Sequence, residues 1–142
     1  METDNKNNNT DGVHSQDYYV LENGKHASDY IATYRLGFFY GNALKYCVRC
    51  GKKEGNSVEK DLNKAMTYIL SSDSEYSFIE RLAKRAFNTW LFNDRTQFAP
   101  KNLAVILYAI IKFEPKEKIA KLIVKYMKFR GVPIKPEYKC YE

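Results

Sequence analysis

Asn42, Lys45, Arg49 and Lys52 follow one another at steps of three and four, a spacing that lines their side chains along one face of a helix. Three cations and an amide in one row suit an anionic ligand. Lys53 comes next, and Ser57 is placed to cap a second helix whose first N–H groups have no intrahelical partners. Cations beside a helix N-terminus make a phosphate-binding arrangement. A purely electrostatic explanation competes with it. Arg49, Lys52 and Lys53 close the first helix, where its dipole favours cations without any ligand. That covers the charges at the end of the row but not Asn42 and Lys45 further back. The residues alone leave both readings open.

Other chemistries find less support. Gly51-Lys52-Lys53-Glu54-Gly55 lacks the order of a Walker A loop, so an ordinary P-loop kinase is excluded. G-x-G-x-x-G, G-x-S-x-G and H-E-x-x-H are missing as well. Cys47-Val-Arg-Cys50 is a C-x-x-C pair, but only Cys140, His14 and His26 remain as further Cys or His ligands. Both thiols also fall on an apolar helical stripe, where cysteine behaves as a small hydrophobe. With two histidines and no Ser–His–Asp pattern, hydrolytic nucleophilic catalysis has no basis. Lys118, Lys121, Lys125 and Lys128 form a basic row on the last helix, suited either to nucleic acid or an acidic partner or to plain solvation.

The elements that must position the central row are helical. Residues 1–16 are Asn-rich with almost no large apolar groups, and are expected to form a disordered tail. Residues 17–25 read as a short extended piece or an ordered loop, with Asn23-Gly24 as a turn signal. The first helix is expected from Ser28 to about Cys50, burying Leu36, Phe39, Tyr40, Ala43, Leu44, Cys47 and Val48. Tyr34, Phe38 and Tyr46 fit core spacing as well as base stacking. Gly37 and Gly41 stack on one face of this helix, for close helix packing, a kink, or approach of a ligand. A second helix is expected over Val58–Leu70, with Leu62, Ala65, Met66 and Ile69 inward and Asp61, Lys64 and Tyr68 in a neighbouring row.

A third helix, about Glu75–Phe92, should bury Tyr76, Ile79, Leu82, Ala83, Ala86 and Trp90. Residues 93–99 read as a loop, and Pro100 suits the first turn of a fourth helix. That helix is apolar nearly all round and should be central or buried in an oligomer. A fifth runs from the Glu114-Pro115 step to Arg130, with Gly131 as its stop. The expected architecture is all-α: a compact bundle of about five helices built around a helix-loop-helix. It comprises the tail 1–16, one helical domain over 17–131 with its core at 28–70, and an extended tail over 132–142.

The totals agree with a globular chain of one domain: 142 residues, 44% apolar and 28% charged. Neither a signal peptide nor a transit peptide is read at the polar N-terminus. The longest apolar run, Leu103–Ile111, is far short of the roughly 20 residues of a membrane span. No membrane partner and a cytoplasmic site are expected, with the three cysteines as free thiols. Residues 101–142 hold 10 Lys+Arg against 4 acids and supply the excess behind the net charge of +6.

Gly41-Asn42-Ala43-Leu44-Lys45-Tyr46, Arg49, Gly51-Lys52-Lys53, Asp61-Leu62, Lys64-Ala65 and Tyr68 resemble a family of small phage proteins patterned GNAIKYxxRxGKK…DLxKAxxYL. One coliphage member is a nucleotide kinase that phosphorylates deoxynucleoside monophosphates without a P-loop. The resemblance implies that Asn42, Lys45, Tyr46, Arg49, Lys52, Lys53, Lys64 and Tyr68 contact a nucleotide and its phosphates. Lys45, Arg49 and Asp61 would carry the chemistry, Asp61 holding Mg²⁺ or orienting the acceptor. Asp29 matches an acidic position upstream. The implied function is a nucleoside monophosphate kinase using a nucleoside triphosphate and Mg²⁺, with no tightly bound cofactor. The alternatives are a protein of the same fold that sequesters a nucleotide or cyclic nucleotide, and an inhibitor that binds host protein or nucleic acid through Lys118–Lys128. One helical hairpin is small for two nucleotides, so a site shared within a homo-oligomer is expected, with the fourth helix as its interface.

Overall fold

The computed structural model describes residues 19–21, 24–74, 76–92 and 101–142. The expected tail 1–16, the loop 93–99 and Pro100 lie outside them. The described residues are all-α, with six helices: α1 (Ala27–Tyr34), α2 (Gly37–Arg49), α3 (Val58–Leu70), α4 (Phe78–Leu91), α5 (Lys101–Ile111) and α6 (Lys116–Phe129). Short 3-10 turns occur at Ser72–Ser74 and Pro136–Tyr141. None of these helices is long and apolar enough to cross a membrane.

The expected first helix is two helices. Arg35 adopts the left-handed conformation at φ 51°, and Gly37 follows at φ 80°. The Leu36 N–H reaches back to the Ile31 carbonyl at 3.1 Å while the Arg35 N–H bonds that of Ala32, the paired bonds of a Schellman ending. Leu36 is completely buried just beyond, which offsets the roughly 1–2 kcal/mol cost of a non-glycine residue in that conformation. The chain turns there, so α1 folds back on α2. A Cβ on Gly41 would stand 3.2 Å from Ile31 Cγ2, so of the readings of Gly41, close helix packing is the one realised.

The α2–α3 hairpin is the centre of the molecule, with α6 laid against α3 and α5 against α2 and α6. The helix α3 has the expected bounds. Ser57 caps it, its Oγ accepting the Lys60 N–H at 3.0 Å, and Leu62, Met66 and Ile69 are fully buried. Each such side chain contributes about 1.5–3 kcal/mol of transfer free energy. The expected all-round apolar helix is α5, whose Ile106, Leu107, Ile110 and Ile111 lie inside the core. Phe113, also left-handed at φ 54°, is buried against Tyr40 at 4.5 Å between centroids. The C-terminal segment is not extended throughout: Pro136–Tyr141 winds into a 3-10 turn that packs on α6 and buries Tyr138.

The expected third helix is α4, capped by Ser77 and Glu80. Its apolar stripe does not face the core. Ile79 and Trp90 are 70% and 75% exposed, while Asn88 is buried and donates to the carbonyls of Tyr34 and Ile111. Lys84 and Arg85 likewise turn inward, to the carbonyls of Arg35 and Phe113. Two neighbouring helix endings offer α4 bare carbonyls, and its polar face satisfies them.

Candidate functional site

The end of α2, the loop after it and the start of α3 are tied together by a buried ion pair. Arg49 is 3% exposed and Asp61 not at all. Arg49 Nε donates to Asp61 Oδ1 at 3.0 Å, and Nη2 donates to the same oxygen. Asp61 Oδ2 accepts the Gly51 N–H at 2.8 Å. One carboxylate therefore holds the guanidinium and the loop backbone at once. Burial pushes the Arg49 guanidinium pKa down, but the hydrogen bonds and charge of Asp61 more than offset this and hold it above its usual value. Holding Mg²⁺ or orienting an acceptor asks for an open carboxylate, whereas Asp61 is enclosed with both oxygens occupied.

The residues around this pair form an aromatic and cationic cluster. Tyr46 of α2 and Tyr68 of α3 stack at 5.7 Å between centroids and 10° between planes. Phe38 meets Tyr68 edge-on at 5.7 Å and is 60% exposed, so it is no core residue. Three cations converge on the Tyr46 ring: Arg49 at 4.6 Å, Lys45 at 5.1 Å and Lys64 at 5.1 Å from its centroid. Each contact is of cation–π length. Asp61 compensates Arg49. Among the described residues, neither Lys45 nor Lys64 is paired with a carboxylate. Partial burial, then the charges of Arg49 and Lys64, push the Lys45 ammonium pKa below its ordinary value. An anion placed there would relieve that repulsion. Lys64 also borders an open groove of about 380 Å³ on the outer side of α3, together with Ser57, Glu59, Lys60, Asn63, Thr67 and Lys135, so three cations and one acid line it.

Asn42 and Lys52 of the expected row are used internally. Asn42 Nδ2 donates to the Phe38 carbonyl at 2.7 Å within its own helix. Lys52 Nζ donates to the Val20 carbonyl at 3.0 Å, and Lys53 lies half-buried in the loop. Lys45 also lies over the Tyr19 ring at 5.7 Å, and Arg49 Nη1 donates to the Tyr19 hydroxyl at 3.4 Å. The row thus holds down Tyr19 and Val20, the latter in an antiparallel bridge with His26. The structure brings Lys45, Tyr46, Arg49, Asp61, Lys64 and Tyr68 together and turns Asn42 and Lys52 to other tasks. Asp29 caps α1, accepting the His26 N–H at 2.8 Å.

Tyr19 and Lys135 were not legible as site residues, and for Phe38 spacing alone left base stacking and core packing level. Phe38 stands four and eight places before Asn42 and Tyr46, a spacing that puts it on their face. No sequence signal links Tyr19 or Lys135 to the hairpin. Of the C-x-x-C pair, Cys47 is fully buried and Cys50 half-buried. Burial pushes the Cys47 thiol pKa far up and that of Cys50 up to about 11. No group of three His, Cys, Asp or Glu among the described residues could hold a metal. In the lysine row of α6, Lys118 pairs with Glu114 at 3.4 Å and Lys128 with Glu142 at 3.5 Å.

Residues 19–70 match a family described as a protein of unknown function, DUF3310. The chain is 39% identical over 71 residues to the "SaV protein" of Lactococcus phage SK1, covering 43% of this chain and 56% of that protein. It is 39% identical over 68 residues to the "SaV protein" of Lactococcus phage p2, covering 41% and 53%. The chain thus spans just over half the length of these curated relatives. No solved structure matches. The segment that matches the family ends with α3, so it holds the whole ion pair and the whole aromatic–cationic cluster.

Proposed function

We propose, from this similarity to small phage proteins and from the chemistry of the hairpin, that the protein binds nucleoside phosphates and acts as a deoxynucleoside monophosphate kinase in the host cytoplasm. The observation that carries the reading is the pair Lys45 and Lys64, two ammonium groups gathered on one tyrosine with no described carboxylate to neutralise them. Phosphate oxygens would bond both, and a base would lie against the exposed Phe38 and Tyr68. The groove beside Lys64 extends the cationic surface through Lys60 and Lys135.

Phosphoryl transfer asks for positioning and charge neutralisation more than for covalent help. An oxygen of the acceptor monophosphate would bond the γ-phosphorus of the triphosphate as the bond to the β-phosphate oxygen breaks. A deoxynucleoside diphosphate and the donor's diphosphate leave. The acceptor oxygen is already ionised, so no general base is required, and a saturated Asp61 is compatible with the reaction. Lys45 and Lys64 would spread the negative charge, Arg49 would add its field from behind, and Mg²⁺ would arrive with the triphosphate substrate.

The enclosure of Asp61 favours a second reading as well, in which the same surface sequesters a nucleotide without turning it over. One experiment addresses both. Purified protein is titrated calorimetrically with each deoxynucleoside monophosphate, then incubated with a triphosphate and Mg²⁺ and assayed for diphosphate. Lys45→Ala and Lys64→Ala should each weaken binding about 10-fold or more, the loss of one charge-assisted bond. Diphosphate formed by the wild type and lost in both variants supports the kinase. Binding without diphosphate supports sequestration. No binding of any nucleotide refutes both.

A further inference from the structure

We propose that the outward face of α4 is the contact between two copies of this chain, packed antiparallel about a two-fold axis. This lies outside the segment that matches the family of unknown function and does not depend on what the hairpin binds.

The helix is inverted. Its polar side is spent on the body: Asn88 reaches two carbonyls, Lys84 a third and Arg85 a fourth. Its apolar side is left out, with Phe78, Ile79, Leu82, Phe87, Trp90 and Leu91 exposed by 65, 70, 40, 55, 75 and 36%. With large side chains of about 150–250 Å² each, the face presents on the order of 600 Å² of apolar surface per chain. That is at the top of what a monomer leaves bare, about 300–600 Å². Two such faces give on the order of 1,200 Å², where stable specific interfaces begin.

The pattern selects the occupant. The exposed positions 78, 79, 80, 82, 83, 86, 87, 89, 90 and 91 are unchanged when the helix is read backwards about its midpoint between residues 84 and 85. An antiparallel copy therefore sets Ile79 against the partner's Trp90 at the middle of the contact, with Leu82 and Phe87 flanking it on either side. The small Ala83 and Ala86 face each other at the crossing, where they let the helices approach. Glu80 and Thr89 lie at the two edges of the face, away from its middle, and a two-fold contact has to be self-complementary in this way. The exposed face carries no cation, since Arg81, Lys84 and Arg85 are half-buried, so it does not suit a nucleic acid or an anionic membrane.

Trp90 is the chain's one tryptophan, so its emission reports the contact directly. Sedimentation over a wide concentration range should give a dimer that dissociates on dilution, with Trp90 emission moving to the red in step. Ile79→Glu and Trp90→Lys replace exposed side chains, so each should keep its far-UV circular dichroism and sediment as a monomer. Mixed in equal amounts they should form a heterodimer, because the introduced acid of one chain faces the introduced base of the other. A wild type that stays monomeric with red emission at every concentration overturns the proposal. So does a dimer that both substitutions leave intact, or a mixture that remains monomeric.

Discussion

Replacing Asp61 by Asn separates a scaffold role from a chemical one. The substitution keeps the shape of the side chain and removes its charge. Arg49, 3% exposed, then has no counter-ion, and the Gly51 N–H loses a carboxylate acceptor. Breaking a buried pair by neutralising one partner costs about 3–5 kcal/mol, about a fifth or more of the stability of an ordinary domain at about 5–15 kcal/mol. With a urea slope of about 2 kcal/mol per molar, the unfolding midpoint should fall by roughly 2 M. By the same reckoning the melting temperature should drop on the order of 10 °C. The double variant Arg49→Met/Asp61→Leu removes both charges together and should return to within about 2 kcal/mol of wild type. Lys45→Ala, which strands no buried charge, should leave the midpoint nearly unchanged. The assay is urea unfolding followed by circular dichroism, run beside nucleotide titration. An Asp61→Asn protein that unfolds at the wild-type midpoint yet loses phosphoryl transfer would refute the scaffold assignment and make Asp61 a reacting group.

Three further outcomes follow from the same geometry. Gly51 has φ +74° and a Cβ there would stand 2.7 Å from Val58 Cγ2, so Gly51→Ala should cost at least about 1–2 kcal/mol from the left-handed backbone alone, read from the urea midpoint. Burial holds the thiols of Cys47 and Cys50 neutral, the latter with its pKa up to about 11, whereas Cys140 is exposed. A thiol-specific disulfide reagent at pH 8 should find one fast equivalent, lost in Cys140→Ser; a second fast equivalent contradicts the packing. Burial also raises the Tyr40 phenol pKa above its ordinary 10.0. Below pH 10 it is neutral in both states, and above it the unfolded chain ionises first, so stability should fall as pH climbs past 10. Tyr40→Phe should flatten that slope while losing about 1 kcal/mol for the bond to the Glu114 carbonyl.

What was legible in the sequence was what is encoded locally. Ser57 announced the start of α3 because a cap acts over three residues, and its helix was placed to the residue. The break at Arg35 was not legible, because the apolar spacing runs on unbroken from α1 into α2 and nothing about arginine announces a left-handed turn. Gly37 was the one available sign. For α4 the periodicity was read correctly as amphipathic, but a stripe does not say which side meets the core. Asn88, bound to carbonyls 23 and 54 residues away, decides it. At the candidate site, spacing put Lys45, Arg49 and Lys52 on one face, yet it could not show that Arg49 turns inward to a carboxylate on another helix.

The Arg49–Asp61 pair joins residues twelve apart across a loop of eight, and the α2–α3 hairpin it closes is the most extensive helix pairing in the chain. Short loops close quickly and local contacts cost little chain entropy before they form. The hairpin is thus the part of the molecule best placed to organise first as the chain folds, with α5 and α6 docking onto a surface that already exists. A substitution at Asp61 should then act mainly on the folding rate, whereas one at Asn88, which holds α4 from a distance, should act mainly on unfolding. Residues within the family match would be the ones that start the fold, and those beyond it the ones that finish it.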